Sequence, residues 1–149
     1  MRMALPAVCL SVALVAVLLF VIFDADWNTI RTSPQLTAVT LKVPAFQGIV
    51  PADQQANYTI EFKTDGTYSA KADCNTVSGT YATADPTTAT GTLTITPGPS
   101  TMVACGPDSL GDLYVLGLTN AASYHIANHV LTITLRDAGT LVYRQRLRI

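Results

Sequence analysis

The residues with the most specific chemistry in this sequence are two cysteines of its polar part, Cys74 and Cys105. In an exported domain two such thiols are expected to form a disulfide bond, because the third cysteine, Cys9, lies within an apolar stretch. The bond would close a loop of about 32 residues and stabilise the fold by roughly 3–4 kcal/mol. A redox-active pair and two buried free thiols are the alternatives. The sequence has no C-x-x-C spacing, and no basic residue stands beside either cysteine to lower a thiol pKa.

His125 and His129 are the next candidates, since two histidines four positions apart can bind a metal ion from one face of a helix. The surrounding residues favour a hairpin, with His125 pointing outward opposite Thr132 and His129 in the turn. No Asp, Glu or Cys stands at ligand spacing from them, and Asn128 is a poor substitute. We therefore predict no metal site.

Serine and carboxylate residues do not form a catalytic pattern. None of the serines stands in a G-x-S-x-G sequence, which places a nucleophile on a strained turn. Glu61 is the single glutamate and is predicted to point outward from a strand, so no carboxylate pair for glycoside hydrolysis can be assembled. We predict no catalytic residue and no cofactor. Most aspartates stand at predicted turns and caps: Asp53, Asp65, Asp73, Asp85, Asp108 and Asp137.

Asn75 and a row of arginines are the remaining polar candidates. Asn75 follows Cys74 at a predicted bend between strands, where its side chain would satisfy nearby backbone groups; contact with a ligand is the alternative. Arg144, Arg146 and Arg148 alternate with other residues and would line one face of a final strand. Such a row usually blocks pairing at a sheet edge, but it could also contact anionic lipid headgroups.

The central stretch, residues 58–81, must position these groups, and its register can be derived. Apolar and polar residues alternate along it, the pattern of half-buried strands. A three-residue loop closed by Gly66 pairs Phe62 with Tyr68 and keeps the apolar residues of both strands on one face, whereas a two-residue loop separates them. The loop requires a left-handed glycine. The stretch is expected to contain three strands.

Further strands are predicted on either side of this stretch. One covers residues 36–43 and is followed by a loop or edge segment at 46–56. Residues 82–90 are rich in Thr, Ala and Asp-Pro and are predicted to be a loop. Another strand covers residues 91–96 and is expected to end at the Pro-Gly-Pro sequence 97–99.

One helix is predicted, at residues 108–121. Ser109 and Asp112 have the spacing of a capping box, with Asp in place of the usual Glu or Gln. Such a short helix must be stabilised by packing on the sheet. Its apolar stripe contains Leu110, Leu113, Tyr114, Gly117 and Ala121, widened by Leu116 and Leu118.

Two hairpins are predicted in the last third of the chain. The first turns at residues 128–129. The second turns at residues 137–139 and pairs Leu135 with Leu141. Its closing Gly139 is expected to take the left-handed conformation predicted for the glycine of the central turn.

The N-terminal residues predict attachment to a membrane. Residues 4–23 contain no charge and a single polar side chain, Ser11. Twenty such residues match a hydrocarbon core of roughly 30 Å. Arg2 before the stretch and two aspartates after it indicate a cytoplasmic N-terminus and an exported C-terminal part. A cleaved signal peptide is the alternative, although a cut after Ala25 would require a small residue where Phe23 stands.

The charge balance excludes one class of partner. Without the N-terminal stretch the chain has 8 basic residues (9 minus Arg2) against 10 acidic ones. A nucleic-acid-binding protein normally carries a basic excess. We therefore predict no nucleic-acid partner.

Five short motifs, taken in order, resemble the META/HslJ-like domain family. They are F-x-x-D-G-x-Y, D-C-N, S-G-x-Y, T-M-x-x-C and G-x-L-V-Y, and they span about residues 36–143. The resemblance implies a mostly antiparallel β domain with a single helix, often exported or membrane-attached in bacteria, and linked to stress tolerance and envelope function. The family has no established catalytic residues. The motif residues carried over are Phe62, Asp65, Gly66, Tyr68, Asn75, Gly79, Tyr81, Met102 and Gly139, beside the two cysteines.

These observations together predict a mainly β (α+β) protein. Residues 1–23 form an N-terminal transmembrane anchor, 24–34 a tether, and 35–149 a META/HslJ-like domain whose antiparallel sheet curls into a partly open barrel with one helix. The expected function is a non-catalytic envelope interaction or stress-tolerance module with an unknown protein or small-ligand partner. A hydrolase with its site in the curled sheet, and a structural subunit of an envelope complex, are the alternatives.

Overall fold

Residues 34–41 and 46–145 are described by the computed structural model. They form nine strands, a short 3₁₀ turn at Gln55–Asn57 and one α-helix. The elements are β1 Gln35–Leu41, β2 Phe46–Ile49, β3 Tyr58–Phe62, β4 Thr67–Ala72, β5 Asn75–Thr83, β6 Thr90–Ser100, α1 Gly111–Thr119, β7 Ala121–Ala127, β8 Val130–Leu135 and β9 Thr140–Arg144.

Eight of the strands close into an antiparallel barrel. β3 to β9 pair with one another in chain order, and β1 joins the two ends by pairing with β3 on one edge and with β9 on the other. β2 pairs with the second half of β1 and extends the sheet beyond the barrel. The prediction of a partly open barrel is therefore wrong. Closure pairs backbone N–H and C=O groups that the edge strands of an open sheet would leave unpaired.

The central stretch has the predicted three strands and register. Phe62 pairs with Tyr68, and the remaining pairs along β3 and β4 follow in the same register. The turn between β3 and β4 places Gly66 at φ +83°. Asp65 stabilises this turn, since its carboxylate accepts hydrogen bonds from the backbone N–H of Thr67 at 2.9 Å and from its hydroxyl at 2.6 Å.

The last hairpin differs from its predicted register by two residues. Leu141 pairs with Ile133 and not with Leu135. The left-handed residue of the turn is Ala138, at φ +62°, while Gly139 follows it. Gly139 is required for a different reason: a Cβ there would overlap the carbonyl oxygen of Thr40 on β1.

Strand β6 continues through the Pro-Gly-Pro sequence, which was predicted to end it. Pro97 pairs with Gly79 on β5, and the pairing resumes at Ser100 after an irregularity. Proline is tolerated at such an irregularity because the regular ladder of hydrogen bonds is interrupted there. Gly79 permits the close approach, since a Cβ would overlap the carbonyl oxygen of Thr96.

Helix α1 is shorter than predicted, with Leu110 in the N-cap position and no side-chain capping bond. Ser109 instead accepts a hydrogen bond from the backbone N–H of Gly111 at 3.1 Å. Tyr114 and Leu118 are buried, but Leu116 is 36% exposed and does not widen the buried stripe. The helix therefore packs on the sheet through a narrower face than its sequence indicates.

The core is built from the inward residues of the barrel strands together with α1. None of the helices in the described part of the chain has the length and apolarity needed to span a bilayer. The predicted anchor at residues 1–23, and the predicted tether up to residue 33, lie outside the described residues.

The two turns with the same loop length allow a paired test of backbone strain. A left-handed conformation costs an alanine roughly 1–2 kcal/mol, partly offset by the lower entropy of its unfolded chain. We expect Gly66→Ala to lower the free energy of unfolding by about 0.5–1 kcal/mol and Ala138→Gly to raise it by about 0.5 kcal/mol. Urea denaturation measures both, and changes of the same sign would contradict this description of the turns.

Candidate functional site

The candidate site is built around the disulfide bond between Cys74 and Cys105, whose Cα atoms are 5.7 Å apart. Cys74 lies in the tight connection between β4 and β5, where Asp73 has φ +61°. Cys105 lies in the segment between β6 and α1. The bond therefore ties a segment without regular structure to the end of a barrel strand.

Asn75 makes a second attachment between the same two parts of the chain. Its Oδ1 accepts hydrogen bonds from the backbone N–H of Val103 at 2.7 Å and from the hydroxyl of Thr101 at 2.9 Å. Its Nδ2 donates to the carbonyl oxygen of Val103 at 2.9 Å. We name these three bonds the Asn75 clamp. The predicted role in satisfying backbone groups thus applies to a distant segment, not to the bend itself.

The clamped segment presents apolar side chains to solvent. Met102 is 93% exposed and Val103 is 60% exposed. We name residues 101–104 the apolar ridge. An exposed apolar side chain is usually mobile or scattered on a surface, whereas these two stand on a backbone held by side-chain hydrogen bonds and a disulfide. Both side chains are thus exposed on a segment that is attached to the barrel.

A groove of about 620 Å³ separates the apolar ridge from α1. The partly exposed Leu116 lies on its helical wall. Its lining also includes residues of β4 and β5: Ala72, Asn75 and Val77. Ridge and groove together form a surface onto which an apolar side chain from another molecule could pack.

One acidic side chain lines this surface, and two further aspartates stand close to the disulfide in sequence. Asp112 lies on the helical wall of the groove, Asp73 precedes the disulfide, and Asp108 lies between Cys105 and α1. The amine of Lys71 donates a hydrogen bond to Asn57 at 3.0 Å. The groove beside the apolar ridge therefore carries the negative charge of Asp112.

The motif residues of the central stretch stabilise its turn. The hydroxyl of Tyr81 donates to the carbonyl oxygen of Lys63 at 2.7 Å, and its ring packs edge-on against Phe62 with centroids 4.8 Å apart. The hydrogen bonds from Thr67 hold the pKa of Asp65 below its usual value. These residues have structural roles around one turn.

The remaining predicted candidates lie apart from the ridge. Arg144 is exposed at the end of β9, while Arg146 and Arg148 lie outside the described residues. His125 is exposed opposite Thr132. His129 is in the turn at φ +61°. Within residues 34–41 and 46–145, no three His, Cys, Asp or Glu side chains are grouped as metal ligands.

The barrel interior contains a second cluster of polar atoms, formed by buried tyrosines. The hydroxyl of Tyr143 donates to that of Tyr114 at 3.2 Å, which in turn donates to the carbonyl oxygen of Thr59 at 3.0 Å. The hydroxyl of Tyr58 accepts a hydrogen bond from the N–H of Leu110 at 2.9 Å. The tyrosines thereby fix α1 to the barrel wall.

Burial changes the acidity of this cluster. Loss of solvation raises the pKa of both Tyr114 and Tyr143 well above 10. Both phenols therefore keep their protons in the folded protein at pH values slightly above 10, at which an exposed tyrosine ionises.

Sequence reasoning did not predict two features of the site. The exposure of Met102 and Val103 was not predicted, although the pair stands outside any alternating pattern and is separated from Cys105 by a single residue. The pairing of Asn75 with Thr101 and Val103 joins residues about 26–28 positions apart, and no local signal encodes such a contact.

Comparison with known proteins identifies the family and the fold. The META domain model matches residues 34–147. A protein from Burkholderia xenovorans, solved by NMR, superposes with a TM-score of 0.60 and 23% identity over 85% of this chain and 89% of its own. A DUF4847 family protein from Bacteroides vulgatus ATCC 8482 has a TM-score of 0.50 and 17% identity over 80% of this chain and 97% of its own. The search of curated proteins found no match.

The buried phenols predict instability in alkali. Above pH 10 the unfolded chain releases tyrosine protons that the folded protein retains, so stability falls as the pH rises, by about 1.4 kcal/mol per pH unit for each such group. We expect Tyr143→Phe to remove one group's share of this slope, at the cost of roughly 1 kcal/mol at neutral pH for the lost hydrogen bond. Urea denaturation between pH 8 and pH 11.5 measures the slope. An unchanged slope would contradict the assignment.

Proposed function

The chain belongs to the META domain family, and from this premise we propose that it is a non-catalytic binding module whose docking surface is the apolar ridge with its groove. The module is anchored to the membrane by residues 1–23 and acts on the extracytoplasmic side, in envelope interaction or stress tolerance.

The observation that carries the proposal is the exposure of Met102 on a rigid backbone. Full burial of such a side chain in a complex removes apolar surface from water and contributes about 1.5–3 kcal/mol. A backbone already held by the Asn75 clamp loses little conformational freedom when it binds. Ordering of flexible groups on binding costs entropy and lowers the affinity. A backbone that is already ordered avoids part of this cost, which favours association.

The negative charge beside the ridge indicates a partner with positively charged side chains. Asp112 lies on the groove wall beside apolar side chains, and an apolar core with a polar rim is typical of an interface. We therefore propose a protein partner that inserts an apolar side chain into the groove and carries Lys or Arg beside it. Anionic lipid headgroups would be repelled by the same carboxylate.

The extracytoplasmic location rests on two observations about the chain. The disulfide bond joins the only two cysteines of the domain, and such bonds persist in oxidising compartments. The uncharged residues 4–23 precede the domain at the distance of a short tether. Both support export of the domain with retention at the membrane.

Site-specific photocrosslinking in the cells that make the protein tests the docking surface. A photoreactive residue replaces Met102 in the full chain, and irradiation is expected to give a discrete protein adduct. Asp112→Lys should reduce its yield several-fold, because the charge change opposes a basic partner. The adduct should persist when Arg144, distant from the ridge, is changed to Gln.

Ile49 provides the matched control, since it is also a strongly exposed apolar residue, 82% exposed, but lies on β2 away from the ridge. A photoreactive residue at this position should not give the same adduct. The proposal fails if both positions give the same adduct, or if the ridge position gives none.

A further inference from the structure

The two cysteines of the disulfide differ in their exposure to solvent. Cys74 is exposed, whereas Cys105 is half-buried and lines a polar pocket of about 350 Å³ at the start of α1. The greater exposure of the Cys74 residue favours attack by a nucleophile from solvent at that cysteine. In thiol–disulfide exchange, which sulfur is attacked determines which sulfur leaves as a thiolate.

The polar atoms near the bond also distinguish the two sulfurs. The Nδ2 of Asn75, a hydrogen-bond donor, is 3.4 Å from the Cys105 sulfur and 3.7 Å from the Cys74 sulfur. The carbonyl oxygen of Val103, which repels negative charge, is 3.5 Å from the Cys74 sulfur and 3.8 Å from the Cys105 sulfur. Both differences favour negative charge on Cys105 over Cys74.

Charged side chains act in the same region. Asp73 directly precedes Cys74 in sequence and disfavours a thiolate there. Asp112 lines the pocket of Cys105 and opposes a thiolate at that position, but its side chain is exposed and its charge is screened by solvent. The uncharged donor of Asn75 is the group in hydrogen-bonding contact with the Cys105 sulfur.

From these observations we infer that Cys74 is a site of S-thiolation, at which an external thiol opens the disulfide. The thiolate of a low-molecular-weight thiol attacks the Cys74 sulfur, and a new S–S bond forms as the Cys74–Cys105 bond breaks. The electron pair of the broken bond goes to the Cys105 sulfur, which leaves as a thiolate hydrogen-bonded to Asn75 and then takes a proton from water. The product is a mixed disulfide on Cys74 and a free thiol on Cys105, with no net oxidation or reduction.

This step has a consequence for the apolar ridge. With the disulfide open, the ridge is still attached by the side-chain hydrogen bonds of Asn75 and by the backbone hydrogen bond of Thr101. Opening of the bond would therefore loosen the exposed apolar residues. The exchange step itself does not depend on the docking function proposed above.

Limited reaction with glutathione tests the inference on the full chain carrying Cys9→Ser, which removes the third cysteine. The oxidised protein is reacted at pH 8, quenched with acid at low conversion and alkylated with N-ethylmaleimide. Digestion with chymotrypsin, which can cleave after Tyr81, separates the two cysteines for mass spectrometry. We expect glutathione on Cys74 and maleimide on Cys105, in at least about tenfold excess over the reverse. Equal distribution, or glutathione mainly on Cys105, would overturn the inference.

Two variants separate the effect of Asn75 from that of solvent exposure. Asn75→Asp keeps the acceptor for Val103 N–H and the Thr101 hydroxyl but removes the donor to the sulfur, so the preference for Cys74 should fall several-fold. Thr101→Val removes a hydroxyl bound to the Asn75 side chain and leaves that donor in place, so the preference should be kept. If Asn75→Asp leaves the distribution unchanged, Asn75 has no role in directing the exchange. The wild-type distribution tests the assignment of Cys74 even if a variant does not fold.

Discussion

The hydrogen bonds between the Asn75 side chain and Val103 are the interaction on which the candidate site depends. An exposed segment of ten residues between β6 and α1 has no regular structure of its own, and its apolar residues would favour collapse onto the nearest surface. The Asn75 amide satisfies both the N–H and the carbonyl of Val103, as a neighbouring strand would. The disulfide then limits how far this segment can move from β5. Together they keep Met102 in solvent.

The barrel provides the rigid frame that this attachment requires. β1 closes the barrel through its pairing with β9, and hydrogen bonds of the buried tyrosines connect α1 to β3 and β9. Asn75 is the first residue of β5, and the segment that carries the ridge leads into α1. The two parts of the chain that the Asn75 side chain joins are therefore both connected to the barrel. A displacement of the ridge would have to break the hydrogen bonds of the Asn75 side chain and would be limited by the disulfide. A surface without regular structure can therefore still be held in place.

The parts of this fold that could be predicted from the sequence are those determined by local patterns. The pairing of Phe62 with Tyr68 follows from alternation and from one turn of known length. Closure of the barrel could not be predicted, because it joins strands at opposite ends of the domain and local patterns contain no information on such pairs. Gly139 was misassigned because a glycine required by close packing against Thr40 looks the same in sequence as a glycine required by a left-handed turn. The exposure of Met102 likewise depends on a contact made elsewhere, by Asn75.

Hydrogen exchange at the backbone N–H of Val103 tests the central claim most directly, because this residue is 60% exposed and its N–H is bonded to a side chain and not to a neighbouring strand. If the Asn75 side chain holds the apolar ridge, this N–H should exchange at least about tenfold more slowly than in an unstructured peptide, and Asn75→Ala should abolish the difference. Exchange at the unstructured rate in the oxidised wild-type protein would contradict the account, since the apolar ridge would then not be held by Asn75.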